Sequence, residues 1–230
     1  MEEATYNNAS KAIIITTTLT ILIAGAEIAN ALRYYETGMN LLDIASYVQA
    51  NPWFFGFTFI FINLVMLPGA LLLYKSNGIN IKKEIFEKET LACDILWGIL
   101  LMVLAAVADL AFQLINLGRT NLAFNGGRLS LGMAILYFFS LVPISGICKE
   151  IYFRGFAKHF CGSVFGETCA FLLFNMLFGL LDWYNMGYSF VLGLICIWGY
   201  RKRKHLIVPM IIHGGVNLIG IVYMLVMQSI

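Results

Sequence analysis

Long uncharged stretches constrain the fold of this chain more than any other feature. Residues 129–148 carry no charge, and neither does the segment ILWGILLMVLAAVA at 95–108. A helix needs about 20 apolar residues to cross the hydrocarbon core of a membrane. The chain as a whole is 60% hydrophobic and 12% charged, which leaves too little polar surface for a water-soluble domain. The sequence therefore predicts an integral membrane protein.

Seven apolar segments predict an all-α fold, a polytopic transmembrane helical bundle that forms one domain over residues 1–230. These segments are 11–35, 52–74, 91–118, 130–160, 163–181, 185–200 and 205–228. The fourth is long and contains Pro143, so it could bend or divide into two helices, which would raise the count to eight. The chain begins with acidic residues where a secretory signal peptide is basic, so the first segment is expected to be a retained span.

Lysine and arginine are distributed unevenly between the two sides of the predicted bundle. One side holds the lysines of 75–90, the region after 149 and the run RKRK at 201–204. The other side holds only Arg33, Arg119 and Arg128. The positive-inside rule then places the N-terminus in the cytoplasm, and we expect the cytoplasmic membrane of a prokaryote. The segment INIKKEIFEKET at 79–90 pairs apolar and charged faces, which predicts a short interfacial helix or a solvated loop helix.

Ionisable residues inside the predicted spans are costly, so they mark functional or paired structural positions. The candidates are Glu27, Asp94, Asp109, Lys149, Glu150, Arg154, Glu167, Asp182 and His213. Glu27, Asp94 and Glu167 lie near predicted span ends, where water reaches them, and a structural role is expected there. The others lie deeper and need partners within the bundle.

The stretch CKEIYFRG at 148–155 concentrates three of these charges directly after the uncharged run. Glu150 and Arg154 are four residues apart, which places them one turn apart on one helical face and favours an ion pair. Such a pair lowers the cost of burying each charge and could serve only to brace the bundle. Lys149 is rotated by about 100° from Glu150, so its partner is expected on another helix.

The last predicted span contains the stretch HGGVN, which places His213 and Asn217 on one helical face. Gly214 and Gly215 lie between them, and small residues allow the backbone of another helix to come close. A single histidine on an apolar face is usually a satisfied core residue. A histidine and an asparagine that share one face are more typical of a polar site.

These motifs resemble those of the CPBP family of CAAX proteases and bacteriocin-processing enzymes, also called Abi proteins. KEIYFRG resembles its Glu-Glu-x-x-x-Arg motif, FGLLD at 178–182 its Phe-x-x-x-His motif, and HGGVN its His-x-x-x-Asn motif. The resemblance covers residues 130–220 and implies a core of a multi-span intramembrane endopeptidase. It further implies a water held between the first glutamate and the second-motif histidine, with the remaining motif residues as brace and oxyanion donors.

Two positions depart from the family pattern, and both belong to the residues that would hold the water. Lys149 stands where the family has its first glutamate, and Asp182 stands at the second-motif histidine. Glu150, Arg154, His213 and Asn217 match. The charges are thus exchanged, and we expect Lys149 and Asp182 to form a salt bridge across two helices.

Several routes to hydrolysis stay open at this point. Asp182 or Glu150 could act as the base, although an acid in an ion pair is a weak base. Ser145 precedes Lys149 by one turn, and a serine–lysine dyad is a further route. Cys148 is a weaker candidate nucleophile because no histidine lies within a turn of it.

Three functions therefore fit the sequence. The first is an endopeptidase of the CPBP type with a variant catalytic site, acting on a peptide or protein substrate at the bilayer. The second is a relative without hydrolysis that serves as a binding, maturation or immunity partner. The third is a small transporter with charges near the midplane. No cofactor and no nucleic-acid partner are expected. No metal site is expected either, since His159 and His205 lie at span ends and only His213 lies within a span.

Overall fold

The computed structural model describes residues 52–115, 130–181 and 186–227, together with position 18. Apart from that position, the first predicted span at 11–35 lies outside the described residues, and so does Asp182. Throughout the described ranges the regular structure is helical, with no strand. A helix satisfies its own backbone hydrogen bonds, which is what a chain surrounded by lipid requires. The all-helical class predicted from the sequence is therefore confirmed.

Eight helices follow one another along the described chain. They are α1 (Pro52–Ser76), α2 (Ile81–Ile85), α3 (Leu91–Ile115), α4 (Leu131–Cys161), α5 (Gly162–Phe165), α6 (Glu167–Leu181), α7 (Met186–Arg203) and α8 (Ile207–Met227). Apart from the short α2 and α5, they lie close to the predicted apolar segments. The longer ones pack against their neighbours in one bundle, whose most extensive contact is between α3 and α8.

Three of the described helices are long and apolar enough to cross a membrane, judged by length and composition. These stretches are Leu91–Phe112, Leu131–Cys161 and Ile207–Val226. The 25 residues of α3 extend over about 38 Å, which exceeds the hydrocarbon thickness of about 30 Å. The chain is therefore an integral membrane protein. The alternative division of the fourth segment into two helices is not seen, because Leu131–Cys161 runs as one helix. The count of seven spans stays a prediction.

The interfacial helix predicted for 79–90 is shorter than expected. Only Ile81–Ile85 is helical, and the side chain of Asn80 caps its start by accepting from the backbone N–H groups of Lys82 and Lys83. The helix stops because Phe86 adopts an extended conformation. Ile81 and Ile85 pack against the main core, which fixes this one-turn helix to the bundle.

Helix α4 contains two π-helical segments, which lie at the residues of the candidate site. Ser140–Ser145 and Ile151–Cys161 are π-helical, and Gly146–Glu150 between them is α-helical. Pro143 lies inside the first π segment, where its missing N–H cannot continue a regular helix. π-Helical insertions are rare and often occur at functional sites. Because of these segments, the side chains around Glu150 point in other directions than they would in a regular α-helix.

The surface of the bundle is largely apolar, and its apolar core also contains buried polar and charged residues. Large apolar side chains on the lipid-length helices are exposed, whereas several charged and polar side chains are buried. On α3 the exposed set includes Leu96, Leu100, Val103, Val107, Leu110 and Leu114. An exposed apolar belt of this extent fits contact with lipid tails. The buried polar set is where a site inside the membrane would lie.

Helices α4 and α8 approach most closely at a pair of glycines. A Cβ added to Gly146 would lie 3.3 Å from the Cα of Gly214, and one added to Gly214 would lie 3.0 Å from the carbonyl oxygen of Val142. Only glycine leaves room for two backbones at this distance. The close approach predicted from the HGGVN stretch is therefore present, and it brings His213 next to Glu150.

Candidate active site

Glu150 lies at the centre of the buried polar residues and is fully enclosed. Arg154, one turn later on α4, donates from Nη1 to Oε1 of Glu150 at 3.2 Å. Its Nε lies 3.2 Å from Oε2, near enough for charge attraction, although Oε2 makes no well-aligned hydrogen bond. The ion pair expected from the four-residue spacing is therefore present, and both partners are buried.

His213 on α8 completes the group around the carboxylate. Its Nδ1 lies 2.7 Å from Oε1 of Glu150, so the two helices are joined by a buried polar contact. We call Glu150, Arg154 and His213 the interior cluster. A carboxylate with a guanidinium on one side and an imidazole on the other holds both in fixed orientations. The resemblance places all three residues at matching motif positions.

The charges around His213 determine which of its nitrogens carries the proton. Glu150 is paired with Arg154 and is therefore ionised, and an ionised carboxylate can only accept hydrogen bonds. Nδ1 of His213 must then be the donor. Arg154 already balances the charge of Glu150, so a protonated His213 would add a further positive charge to a buried site. The neutral ring with its proton on Nδ1 is the favoured form.

The aromatic ring of Phe178 on α6 forms one wall of the cluster. The Cζ atom of Arg154 lies 4.4 Å from the ring centroid and Nζ of Lys149 lies 5.3 Å from it. The ring of His213 meets it edge-on, with 5.4 Å between centroids. A ring face attracts cations, so Phe178 stabilises two positive charges that water does not reach. Its position corresponds to the phenylalanine of the second family motif.

Helices α6 and α7 hold Arg154 from the side opposite Glu150, a feature that sequence reasoning missed. Nη2 of Arg154 donates to the carbonyl oxygen of Gly193 at 3.3 Å. Asn175 donates to the carbonyl oxygen of Phe190 at 3.0 Å, and a Cβ at Gly193 would lie only 1.7 Å from Oδ1 of Asn175. The sequence signal was available in Asn175, the one strongly polar residue in the apolar stretch FLLFNMLF.

Asn217 lies one turn after His213 but contacts a different partner. Its Nδ2 donates to the carbonyl oxygen of Leu141, in the first π segment of α4, at 2.8 Å. An amide nitrogen carries two protons, so one donor remains after this bond. Asn217 thus fastens α8 to α4 beside the cluster and keeps one proton for another acceptor.

The other predicted positions have different outcomes. Lys149 is buried next to the cluster, whereas its expected partner Asp182 lies outside the described residues, so their salt bridge stays a prediction. The side-chain oxygen of Ser145 is buried and makes no hydrogen bond. The serine–lysine dyad considered from the sequence is therefore absent in this structure.

A second set of charged contacts lies at the end of the bundle where α2 docks. Glu84 accepts hydrogen bonds from Lys158 at 3.0 Å and from the hydroxyl of Tyr200, and its Oε2 lies 3.0 Å from Nε2 of His159. We call these four residues the Glu84 network. Burial alone would raise the pKa of Glu84, but the bonds from His159, Tyr200 and Lys158 outweigh burial and lower the pKa from 4.5 to about 2. This network was not predicted.

Asp94 at the start of α3 forms a neighbouring network. Nε of Arg203 lies 2.7 Å from Oδ1, while Oδ2 contacts the hydroxyl of Thr90 and Nδ1 of His205, each at 2.8 Å. The structural role expected for Asp94 therefore agrees with its contacts. Together the two networks bring the basic segments 75–90, 158–159 and 201–205 to one end of the bundle, as the charge pattern predicts.

Over the described part of the chain, no group of three or more histidine, cysteine, aspartate and glutamate side chains could hold a metal ion. The interior cluster has one carboxylate and one imidazole, and the imidazole nitrogen that faces the carboxylate is already hydrogen-bonded. Side chains of these types can transfer protons and stabilise charge.

Comparison with known proteins gives two matches. Residues 131–219 match the family described as Type II CAAX prenyl endopeptidase Rce1-like. The chain is 36% identical over 84 residues to the UPF0177 protein YxdF of Lactococcus lactis subsp. lactis (strain IL1403), an alignment that covers 35% of this chain and 44% of that protein. The chain therefore spans less than half of the length of this curated relative.

No solved structure matches the chain. The family match spans α4 to α8 and includes every residue of the interior cluster. The resemblance to the CPBP family is therefore confirmed: the helical region at 131–219 of this membrane protein is similar to the CAAX prenyl endopeptidases of that family.

Proposed function

We propose that this protein is a CPBP-type intramembrane endopeptidase with a variant catalytic site, which cleaves a peptide or protein substrate at the membrane. One observation carries this proposal: the buried Glu150 contacts both Arg154 on its own helix and His213 on α8. These three residues stand at motif positions of the family. Burying such a group is costly, and a bracing role alone would not require an imidazole on the carboxylate.

The finer architecture belongs to the same proposal. The chain forms one domain of seven spans, of which residues 130–220 are the CPBP-like core, and the first span lies at 11–35. The end with the Glu84 network faces the cytoplasm, because the lysines and arginines of the connecting segments gather there. The N-terminus then lies in the cytoplasm of a prokaryotic cell and the C-terminus on the opposite side.

The proposed roles follow the family motifs. Arg154 and Glu150 brace the site, and Asn217 uses its second amide proton to stabilise the oxyanion that forms on the scissile carbonyl. Lys149 forms a salt bridge with Asp182, which compensates two charges that the family does not have at these positions. The burial of Lys149 supports a partner of opposite charge nearby.

A second candidate function is a non-hydrolytic relative that binds a membrane peptide or protein as a maturation or immunity partner. The observation in its favour is Lys149, which replaces the water-activating glutamate of the family with a cation. Arg154 also forms an ion pair with Glu150, which is the carboxylate of the interior cluster. Such a protein would keep the binding of a peptide or protein without the reaction.

Cleavage by the purified protein separates the two candidates. The protein is reconstituted in phospholipid vesicles and incubated with membrane-anchored reporter peptides, with and without a farnesylated cysteine near the C-terminus. Products are identified by mass spectrometry. For the endopeptidase we expect cleavage that Glu150→Ala and His213→Ala abolish. The matched control is Glu167→Ala, since Glu167 is an exposed carboxylate that contacts only the exposed Arg201 among the described residues.

Each outcome decides between the candidates. Cleavage by the wild type and by Glu167→Ala, together with loss in both cluster variants, supports the endopeptidase. Peptide binding without any product supports the non-hydrolytic partner. Cleavage that persists in both cluster variants would contradict the assignment of the site to Glu150 and His213.

A further inference from the structure

The contacts of Glu150 leave it poorly suited to take a proton from water. Oε1 already accepts from Nη1 of Arg154 and from Nδ1 of His213, at 3.2 and 2.7 Å. Oε2 lies 3.2 Å from the guanidinium Nε without a well-aligned hydrogen bond. A carboxylate that already faces a guanidinium and an imidazole is committed to these two partners. The base of a hydrolytic reaction must then be sought elsewhere in the cluster.

His213 has the features that a general base needs. Its Nδ1 donates to an ionised carboxylate, so the neutral ring carries its lone pair on Nε2. No residue in the described ranges donates a hydrogen bond to that nitrogen. A carboxylate that accepts from Nδ1 also stabilises the imidazolium formed when Nε2 takes a proton, which is the relation found in acid–histidine pairs of hydrolases.

We propose that Nε2 of His213 takes the proton from the attacking water and that Glu150 is its positioning residue. This inference rests on the proposed endopeptidase function and names the base that replaces the family glutamate at the position of Lys149. In the first step the water oxygen bonds to the scissile carbonyl carbon, its proton goes to Nε2, and the carbonyl electrons move to the oxygen.

In the second step the carbonyl re-forms and the carbon–nitrogen bond breaks. The proton on Nε2 goes to the departing amine, so His213 returns to its neutral form and the products are an acid and an amine. The remaining proton of Asn217 lies on the same helical face and is positioned for the oxyanion. Atoms and charge balance without any cofactor.

The charged groups around His213 favour the neutral ring that this reaction needs. On α4, Arg154 balances the charge of Glu150, and the further cation Lys149 is assigned to Asp182 in the proposed function. On α3, Asp94 is bound to Arg203 and His205. The negative charge of Asp109 interacts electrostatically with Tyr188. On α7, residues 186–200 carry no charge. A second positive charge on His213 in the resting state would therefore be opposed by its surroundings.

Two measurements on the reconstituted protein test the inference. In the first, nitrogen NMR of protein labelled at histidine reads the protonation of His213 directly, with assignment by the His213→Gln spectrum. We expect a neutral ring with the proton on Nδ1. A proton on Nε2 of the resting ring would overturn the inference.

The second measurement is the kcat and KM of reporter-peptide cleavage. In His213→Gln, kcat should fall by at least about 100-fold, the usual contribution of a general base. In Glu150→Gln, kcat should fall while KM stays close to the wild-type value, because a neutral amide stabilises the imidazolium formed during the reaction less than a carboxylate does. His159→Gln is the control histidine and should keep the wild-type kcat and KM.

The outcomes separate this inference from the function on which it rests. Cleavage by the wild type that continues unchanged in His213→Gln would overturn the role of His213 and leave the endopeptidase function standing. A wild type that cleaves none of the reporters would overturn both. A kcat that stays at the wild-type value in Glu150→Gln would show that Glu150 does not position the base.

Discussion

The interior cluster and the Glu84 network both surround a glutamate with cations, yet they differ in what they connect. In the Glu84 network, the partners come from the ends of helices and from α2, and Lys158 and His159 remain partly exposed. In the interior cluster, every partner lies within a helix and is buried. The Glu84 network connects α2 to the ends of longer helices. The interior cluster connects only residues within long helices.

This difference separates a structural explanation from a functional one. The Glu84 network docks α2, which is too short to be stable alone, and it is supported by the backbone N–H of Leu206 donating to the carbonyl oxygen of Glu84 at 2.8 Å. The helices of the interior cluster are long and pack against one another through a large apolar core. A buried charge among such helices is best explained by a reaction or a ligand.

The largest expected effect comes from removing the cation of the interior cluster. Arg154→Met leaves Glu150 buried without its guanidinium, and we expect a loss of about 3–5 kcal/mol in the free energy of unfolding. Unfolding in detergent, followed by circular dichroism against denaturant, measures this loss. Replacing both residues by methionine removes the unpaired charge, so the double variant should recover most of the stability. A double variant as unstable as Arg154→Met would contradict this account.

The Glu84 network should respond through stability alone. Glu84→Gln loses charge-assisted hydrogen bonds, and we expect a loss of about 1.5–3 kcal/mol at neutral pH with unchanged cleavage per folded molecule. Because folding lowers the pKa of Glu84 from 4.5 to about 2, the stabilisation is complete above pH 4.5. It is lost as the pH falls from there toward 2.

Stability of the two proteins measured across that pH range checks the prediction. The difference between wild type and Glu84→Gln should shrink as the pH falls. A difference that stays constant over the range would show that the charge of Glu84 is not what stabilises the network. Loss of cleavage in folded Glu84→Gln would contradict a purely structural role of the Glu84 network.

Gly193 gives a smaller and more local test of the interior cluster. In Gly193→Ala the new Cβ would lie 1.7 Å from Oδ1 of Asn175 and 3.0 Å from Nη2 of Arg154, so the guanidinium must shift. We expect a loss of about 1–3 kcal/mol and slower cleavage. Gly220→Ala is the matched control, since nothing lies within 4 Å of its added Cβ, and it should not lose stability. Equal behaviour of the two variants would contradict tight packing around Arg154.

The smallest expected effect concerns the bond between Asn217 and the π segment of α4. Asn217→Ala removes the hydrogen bond to Leu141, and we expect a loss of about 0.5–1.5 kcal/mol in unfolding free energy. If Asn217 also binds the oxyanion, cleavage should fall by about 100-fold or more, far beyond the structural effect. A fall in cleavage no larger than the fall in folded protein would limit Asn217 to the structural role.

Contacts within one helix could be predicted from the sequence, and most contacts between helices could not. The helix at 52–76 begins at the residue expected for its span, because apolar length decides where a membrane helix lies. The four-residue spacing likewise gave the pair of Glu150 and Arg154. The contact of His213 with Glu150 joins residues 63 positions apart, and only the family motifs placed them in one site.

The Glu84 network could not be predicted from the sequence for a different reason. Glu84 stands among several charged residues of a polar loop, where nothing in the sequence distinguishes the one glutamate that becomes buried. Its partners come from α4 and α7, and their meeting depends on how α2 docks. Asn175 and Gly193 were missed because their role is to hold Arg154, which only the packing of α6 and α7 reveals.

One comparison of rates tests the central claim most directly, that the interior carboxylate serves a reaction and the end carboxylate serves the fold. The measurement is reporter-peptide cleavage per folded molecule in Glu150→Gln and in Glu84→Gln. The account predicts a loss of at least about 100-fold in the first variant and less than about twofold in the second. Equal rates in the two variants, or a greater loss in Glu84→Gln, would contradict it.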